Sequence, residues 1–273
     1  TSDFNFTTNK AVVLKLTEQL AANPLGFSSG NLAGVNPLVT GREGSRLGTY
    51  YLPEFAGINP DNGLPMIINQ TSGEAVVATQ ANWNANRVHL EDNTGLPTYF
   101  GGFSNTLSYK NFDLTLLFTF QGGNWLYDTR ERDMTIVNSG NNALDSRILG
   151  NTWTPENRNA EYPVLLFNNR DADNNAINAN TTQFLHKGDF VRLRTLQVSY
   201  NLPTELLSKA GIKNARVYAN AHNLLTFTKF PGWDPEVVNI LNNQQTLNLA
   251  PGLITTGTLP QVRSFNFGVS FTF

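Results

Sequence analysis

The sequence predicts an all-β fold, namely strands of an antiparallel transmembrane β-barrel joined by long extracellular loops. First, residues 262–273 (VRSFNFGVSFTF) alternate between mostly aromatic and small or polar side chains. Second, segments with the same period of two recur upstream, and the spacers between them alternate between short and long. Third, a composition with 18 Phe, 8 Tyr, 22 Gly and only 15% charged residues suits strands and polar loops better than helices.

The last predicted strand has two chemically different faces. Its apolar face carries Phe265, Phe267, Val269, Phe271 and Phe273. Its other face carries Ser264, Asn266, Gly268, Ser270 and Thr272. A strand of a soluble sandwich can alternate in the same way. The aromatic face and the terminal Phe273 favour a membrane strand, with the Phe face toward lipid and Ser264, Asn266 and Ser270 toward the lumen.

The earlier strands are predicted from the same alternation. In chain order they are the end of a strand at 3–8, a strand at 47–58 interrupted by Pro53, and strands at 99–109, 112–120, 190–200 and 215–228. Only two residues separate 99–109 from 112–120, which predicts a tight hairpin. On that hairpin Asp113 shares a face with Thr115 and Thr119, as a lumen-lining residue would. A short helical turn is expected at 204–210, before Gly211.

The spacers predict an orientation in the membrane. Residues 110–111 and 202–214 are short connections, whereas 121–187 and 229–261 are long and rich in Asn, Gly, Asp and Pro. Bacterial outer-membrane barrels have short periplasmic turns and long extracellular loops. With Phe273 at the periplasmic side, 58–96, 121–187 and 229–261 are therefore expected to be extracellular.

Several function classes are disfavoured by composition. There is no Cys, the three His are scattered, and the net charge of −2 provides no basic surface for nucleic acid. No Ser–His–Asp order or carboxylate pair stands out, so we expect no enzyme activity, no metal and no cofactor. The first residues, TSDFNFTTNK, have none of the features of a signal peptide, which indicates a processed or an internal start.

The candidate ligand-binding residues are aromatic. Trp83, Trp125, Trp153 and Trp233 fall in the predicted extracellular loops or at their edges. Exposed indole rings can stack on sugars or pack on a partner protein; the alternatives are local loop packing and anchoring at the membrane interface.

Two polar groups have structural interpretations as well. Asp171, Asp173 and Asn175 have the spacing of a calcium loop, but Ala176 and Thr182 occupy the positions where such a loop needs Gly and an acid, which favours a solvated loop. Arg192 and Arg194 project to one side of their strand, which favours pairing with acids of the loops over the alternative of substrate contact.

Five ordered segments resemble the C-terminal third of SusC/RagA-type TonB-linked outer-membrane proteins. They are GINPDNGLP (57–65), PTYFGGFSNTLSYKNFDLTLLFTFQGG (97–123), GDFVRLRTLQVSYNLP (188–203), ARVYANAHNLLTFTKFPGWDPEV (215–237) and FNFGVSFTF (265–273). The resemblance implies that residues 1–273 are the C-terminal part of a barrel of about 22 strands, without the plug domain and the earlier strands.

The resemblance also implies a function and partners. Such proteins sit in the outer membrane of Gram-negative bacteria of the Bacteroidetes type and import oligosaccharides or peptides. They work with a SusD-like surface lipoprotein and with TonB, which would act through the missing N-terminal region. Two alternatives remain open: a small stand-alone barrel acting as a porin or adhesin, and a soluble carbohydrate-binding β-sandwich.

Overall fold

A computed structural model describes residues 1–29, 37–135, 143–166, 180–207, 211–237, 252–255 and 257–273. Strands dominate these residues, and none of their helices is long and apolar enough to cross a membrane. In chain order the elements are β1 (Ser2–Thr8), α1 (Glu18–Ala21), β2 (Phe27–Ser29), β3 (Val39–Gly41), β4 (Thr49–Pro53), β5 (Phe55–Ile58), β6 (Pro65–Ile68), β7 (Ala75–Val77), α2 (Gln80–Trp83), β8 (Arg87–Thr94), β9 (Tyr99–Tyr109), β10 (Phe112–Gly122), β11 (Trp125–Asp128), α3 (Thr129–Thr135), β12 (Leu185–Lys187), β13 (Phe190–Asn201), α4 (Thr204–Leu207), β14 (Asn214–Thr228), β15 (Leu253–Ile254) and β16 (Ser264–Thr272).

The main sheet has six antiparallel strands in the order β1-β9-β10-β13-β14-β16. The predicted order of the last five strands is therefore confirmed, and β1 adds to the outer edge of β9. The hairpin between β9 and β10 turns at 110–111, where Lys110 has a φ of 53°. The helical turn begins at Thr204 as predicted.

The connections of this sheet are asymmetric. Residues 110–111 and 202–213 lie at one end, which we call the turn end. Residues 9–98, 123–189 and 229–263 leave from the opposite end, the loop end. The alternation of short and long connections that the sequence predicts is confirmed.

Cross-strand register shows that the sheet has one apolar and one polar face. Directly opposed residues share a face, and β16 pairs Phe265 with Ala221, Phe267 with Ala219 and Val269 with Val217. The apolar face continues across β13, β10, β9 and β1 with Val198, Leu196, Leu114, Leu116, Phe118, Phe120, Leu107, Phe103, Phe4 and Phe6. Two polar residues of this face, Ser2 and Asn105, are hydrogen-bonded to each other, and the Asn105 side-chain amide donates to the Ser2 hydroxyl at 2.5 Å.

An irregularity in β13 and β14 interrupts the alternation of side chains along 215–228, which is weaker than in the other predicted strands. The register shifts between Leu193 and Thr195, and Asn223 adopts a φ of 53°. The same shift occurs against β10, between Leu117 and Phe118. The bulge lies toward the loop end of the sheet, where Arg192 and Arg194 meet the loops.

The predicted strand at 47–58 is wrong as a barrel strand. Residues 49–53 form β4 in a four-stranded sheet (β2-β3-β4-β8), and 55–58 form β5 in a separate three-stranded sheet (β5-β6-β7). With five and four residues these strands are shorter than the roughly 9–11 residues that cross a bilayer. Residues 9–98 are thus one continuous loop-end connection.

The loop-end connections pack together around a large hydrophobic cluster, which we call the loop-end core, and a smaller cluster of Leu126, Phe230 and Ile254. The loop-end core comprises Leu38, Val39, Tyr50, Leu52, Leu64, Tyr127, Phe184, Leu185 and Leu253. A third small sheet, β12-β11-β15, includes a parallel pairing of Tyr127 with Leu253 and so joins the second loop to the third. The long connections thus form a folded cap, the loop-end assembly, rather than three independent loops.

Candidate functional site

Tyr50 ties the three loops of the loop-end assembly to one another. Its hydroxyl donates to the carbonyl oxygens of Trp125 at 3.0 Å and Gly252 at 3.2 Å. Burial raises the pKa of Tyr50 far above its usual value, so the hydroxyl stays a donor. Gly252 has a φ of 91°, and a Cβ there would lie 2.6 Å from the Tyr50 hydroxyl, so this contact needs glycine.

A cluster of buried charges surrounds α3. Asp128 accepts from the Arg130 guanidinium at 2.9 Å and from the Glu131 backbone N–H at 2.9 Å. Glu131 also accepts from Arg147 Nη1 at 2.8 Å and contacts His186. Since Asp128, Arg130 and Glu131 are all buried, mutual pairing is what makes their burial tolerable.

The rim of this charge cluster is set by Arg147 and its neighbours. Arg147 Nη2 donates to Asp145 at 2.8 Å, and this hydrogen bond lowers the pKa of the Asp145 carboxyl. Burial raises the pKa of the Tyr162 phenol to about 12. This cluster could not be predicted from the sequence, because its contacts join residues as far apart as Glu131 and His186, which are separated by 55 positions.

A second ionic group fastens the third loop to the bulge of the main sheet. Arg192, 2% exposed, donates to Asp234 and lies 3.3 Å from Glu236, while Arg194 also donates to Glu236. Asp234 additionally accepts from the backbone N–H groups of Glu236 and Gln261 at 3.0 Å. The predicted pairing of Arg192 and Arg194 with loop acids is confirmed, and it occurs on the polar face of the sheet.

Two of the four candidate tryptophans pack against the loop-end core. Trp83 donates from its indole N–H to the Asn180 carbonyl at 3.0 Å and lies under the Arg87 guanidinium. Trp125 contacts the same core, with the Lys187 ammonium 5.7 Å from its ring.

The other two tryptophans are placed differently. Trp153 donates to the Pro60 carbonyl at 3.0 Å and lies against Gly63, where a Cβ would come within 2.6 Å of its ring. Trp233 is 58% exposed, with the Arg130 guanidinium 4.2 Å from its ring centre. Of the four indole rings, that of Trp233 presents the most surface for contact with another molecule.

The predicted lumen-facing residues all lie on the polar face of the main sheet. Asp113, near the turn end, accepts from the Ser108 hydroxyl at 2.6 Å and from the Asn201 amide at 3.1 Å. Asn266 hydrogen-bonds Asn220 across the sheet at 2.9 Å. Ser264 pairs with His222 and Ser270 with Arg216.

No metal-binding group of three His, Asp or Glu side chains occurs in the part of the chain that the structure describes. The candidate calcium residues Asp171, Asp173 and Asn175 lie outside the described residues. The charge cluster and the Arg192 group consist of oppositely charged pairs, which fasten the loops to one another and to the main sheet.

Known proteins resemble this chain both in sequence and in structure. No family model matches the chain. TonB-dependent receptor P3 of Formosa agariphila is 31% identical over 282 residues, which cover 99% of this chain and 26% of that protein. TonB-dependent receptor P26 of the same organism is 33% identical over 65% of this chain and 17% of its own length. A solved structure of the RagAB peptide transporter is 25% identical, with a TM-score of 0.73 over 100% of this chain and 26% of the solved one.

The open sheet with an apolar outer surface and a folded cap of loops defines part of an outer-membrane β-barrel protein. The chain is homologous to part of the TonB-dependent receptors of the SusC/RagA kind, which are outer-membrane proteins of Bacteroidetes. It spans about a quarter of the length of TonB-dependent receptor P3 and of the solved RagAB chain, and 17% of that of receptor P26.

Proposed function

We propose that residues 1–273 form the C-terminal wall of the barrel in a TonB-dependent importer of nutrients. In this proposal the apolar face of the main sheet contacts lipid, and the polar face with Asp113, Ser264, Asn266 and Ser270 lines the lumen. The loop-end assembly is extracellular and covers the entrance. The protein is a transporter and not an enzyme.

The observation that carries the proposal is the 31% identity to a TonB-dependent receptor over 99% of the chain. A second observation agrees with it. The apolar face of the main sheet is uncovered by any other described element, and Phe267 is 81% exposed on it. A water-soluble protein rarely leaves so large an apolar surface open, whereas a barrel wall must.

The proposed cargo is an oligosaccharide or a peptide, delivered with a SusD-like lipoprotein and powered by TonB. The solved relative is a peptide transporter, which supports a peptide. The exposed ring of Trp233 supports either cargo, because indole rings stack on sugars and pack on peptide side chains alike. Trp83, Trp125 and Trp153 remain candidates for cargo contact through the parts of their rings that the loops leave open.

The two alternatives fit the structure less well. A soluble β-sandwich would cover the apolar face with a second sheet, and no described strand does so. A small stand-alone barrel would pair β1 with β16, but these are the two free edges of the main sheet. An open edge is costly in lipid, because its N–H and C=O groups have no partners there.

Uptake by living cells tests the importer proposal. The gene that encodes this chain is deleted in its host, and growth is scored on single oligosaccharides or peptide mixtures as the sole nutrient. Complementation with the complete gene should restore growth on one of these classes, whereas a version without its TonB-contacting segment should not. Growth that never depends on the gene, or that persists without coupling to TonB, would reject the proposal.

The proposed domain organisation has its own test. Residues 1–273 expressed alone and refolded in detergent should not form a closed barrel, because the edges β1 and β16 lack partners. Heat- and SDS-resistant monomers with the compact mobility of a closed barrel would instead favour the small stand-alone barrel.

A further inference from the structure

A groove of about 540 Å³ lies where the main sheet meets the loop-end assembly. Four of its residues, Tyr99, Phe120, Val191 and Phe227, come from the apolar face and from four neighbouring strands. They form the floor of the groove. Phe6 extends this floor, because its ring stacks with both aromatic rings. Its ring centre lies 6.3 Å from that of Tyr99 and 6.2 Å from that of Phe120.

The rim of the groove toward the loop end is cationic. Lys187, at the end of β12, and Lys229, directly after β14, both line it and are both exposed. Neither ammonium group has a carboxylate within salt-bridge distance among the described residues. Two positive charges without a carboxylate partner therefore line the groove beside its apolar floor, and the Lys187 ammonium also lies 5.7 Å from the Trp125 ring.

The one acid at the groove is already engaged. The Asp189 carboxylate accepts from the Gly123 backbone N–H at 2.7 Å. The backbone carbonyl of Asp189 accepts from the Thr228 hydroxyl, also at 2.7 Å. Gly122 permits this arrangement, since a Cβ there would lie 2.2 Å from the Tyr99 hydroxyl and 2.9 Å from the Asp189 carboxylate. Asp189 thus holds the turn after β10, and the lysines keep a net positive rim.

We infer that this groove binds an anionic, phosphate-bearing lipid of the leaflet that surrounds the loop end. Its acyl chains lie along Tyr99, Phe120, Val191 and Phe227, and its phosphate sits between Lys187 and Lys229. Aromatic belts and basic residues at the membrane boundary are suited to such lipids because they match both the apolar tail and the charged headgroup.

This inference rests on the proposed outward orientation of the apolar face, and the orientation also favours lipid as the occupant. The apolar face of the main sheet continues into the groove, because four of its residues form the groove's floor. A lipid in the groove would therefore lie next to the lipids that contact the rest of this face. The charge of the rim then selects among lipids by their headgroups.

Photo-crosslinking of the complete receptor in detergent tests the inference. The probe is phosphatidic acid with a photoreactive acyl chain, and the crosslinked peptides are mapped by mass spectrometry. Crosslinks should fall in residues 187–191 and 225–229, and unlabelled phosphatidic acid should displace the probe far better than phosphatidylcholine. The variant Lys187→Gln/Lys229→Gln should weaken binding at the groove about 30-fold, since each lysine near an anionic lipid contributes about five-fold.

The matched control is Lys110→Gln/Lys213→Gln, which removes two exposed lysines at the turn end and should leave these crosslinks unchanged. Equal displacement by phosphatidylcholine, or an unchanged double variant, would overturn the inference. Displacement by inorganic phosphate alone at the same potency would also overturn it, since the site would then bind free phosphate.

Two further measurements distinguish the lipid site from a site for a protein partner and from the importer proposal. Loss of co-purifying lipoprotein in the double variant, with lipid crosslinks unchanged, would assign the lysines to a protein partner and overturn the lipid site. Nutrient uptake by the double variant should stay normal. Growth that does not depend on the gene, while the purified receptor still crosslinks the lipid at the groove, would reject the importer proposal and leave the lipid site supported.

Discussion

The main sheet and the loop-end assembly use the same apolar residue types in opposite ways. On the apolar face of the sheet, Phe267 is 81% exposed and Leu107 is 55% exposed, whereas Tyr50 and Leu52 in the loop-end core are fully buried. The sheet has its large side chains outside and its small polar ones opposite them. The assembly is built like a water-soluble domain, with its apolar residues inside.

In the proposed orientation, with the apolar face toward lipid and the loop-end assembly in water, the difference follows from the solvent that each region meets. Lipid accepts exposed Phe and Leu at no cost, so the sheet needs no second layer to cover them. Water does not, so the loops must pack on one another and on the polar face of the sheet. Buried ion pairs such as Arg192–Asp234 join the two regions where they meet.

Removing one partner of the ion pair that joins the regions should have the largest effect. We expect Asp234→Ala to lower the free energy of unfolding of the loop-end assembly by about 3–5 kcal/mol, because Arg192 would stay buried with its main partner gone. Urea unfolding of the purified receptor, followed by tryptophan fluorescence, measures the change.

The matched control for Asp234→Ala is an exposed ion pair of the same assembly. Glu91 pairs with Arg42, and both side chains are largely solvated. Glu91→Ala should cost only about 0–1 kcal/mol. Equal losses in the two variants would show that burial does not distinguish these pairs.

The same substitution in the two regions should give different results. Leu52→Ala leaves a cavity in the loop-end core and should cost about 2–5 kcal/mol, because the packed neighbours relax only partly. Leu107→Ala on the apolar face should cost much less, because mobile acyl chains fill the space. Urea unfolding of both variants in one detergent decides the matter, and a larger loss for Leu107→Ala would contradict the proposed lipid contact.

A charge placed on either face of β16 should sharpen the assignment of the faces. Phe267→Lys should cost about 2–4 kcal/mol if this residue lies near the middle of the bilayer, and the amount of heat-modifiable receptor in the outer membrane should fall steeply. Asn266→Lys, one residue away on the polar face, should assemble nearly as well as the unchanged receptor. Similar assembly of the two variants would argue against a barrel wall.

The smallest expected effect concerns pH in the loop-end assembly. The hydrogen bond from Arg147 lowers the pKa of Asp145 in the folded state, so it adds to the free energy of unfolding. This contribution is complete above the unfolded pKa of about 4 and is lost as the pH falls through the folded pKa. Asp145→Asn should therefore cost about 1 kcal/mol or less at pH 7 and nothing below the folded pKa. Unfolding of the two proteins compared between pH 7 and pH 3 tests this, and a gap that widens in acid would contradict it.

The sequence by itself determined the last five strands of the main sheet, their order and their two faces, whereas the pairing of β1 with β9 was not predicted. This was possible because the alternation of apolar and polar side chains is a local property. Each strand shows in its own residues which of its two sides is apolar, whichever strands lie next to it. The short connections at 110–111 and 202–213 then fix which strands are neighbours. The irregular stretch 215–228 was still identifiable as a strand, although its bulge at Asn223 was not.

Only the tertiary structure decided how the loops fold and what their charged and aromatic residues do. The apolar run at 47–58 reads as a strand in isolation, but its pairing with 87–94 and 65–68 makes it part of the cap. The partners of Glu131, Arg192 and Tyr50 lie 55, 42 and up to 202 residues away. Such contacts depend on long-range loop closure, for which no local periodicity exists, so three-dimensional packing alone brings these residues together.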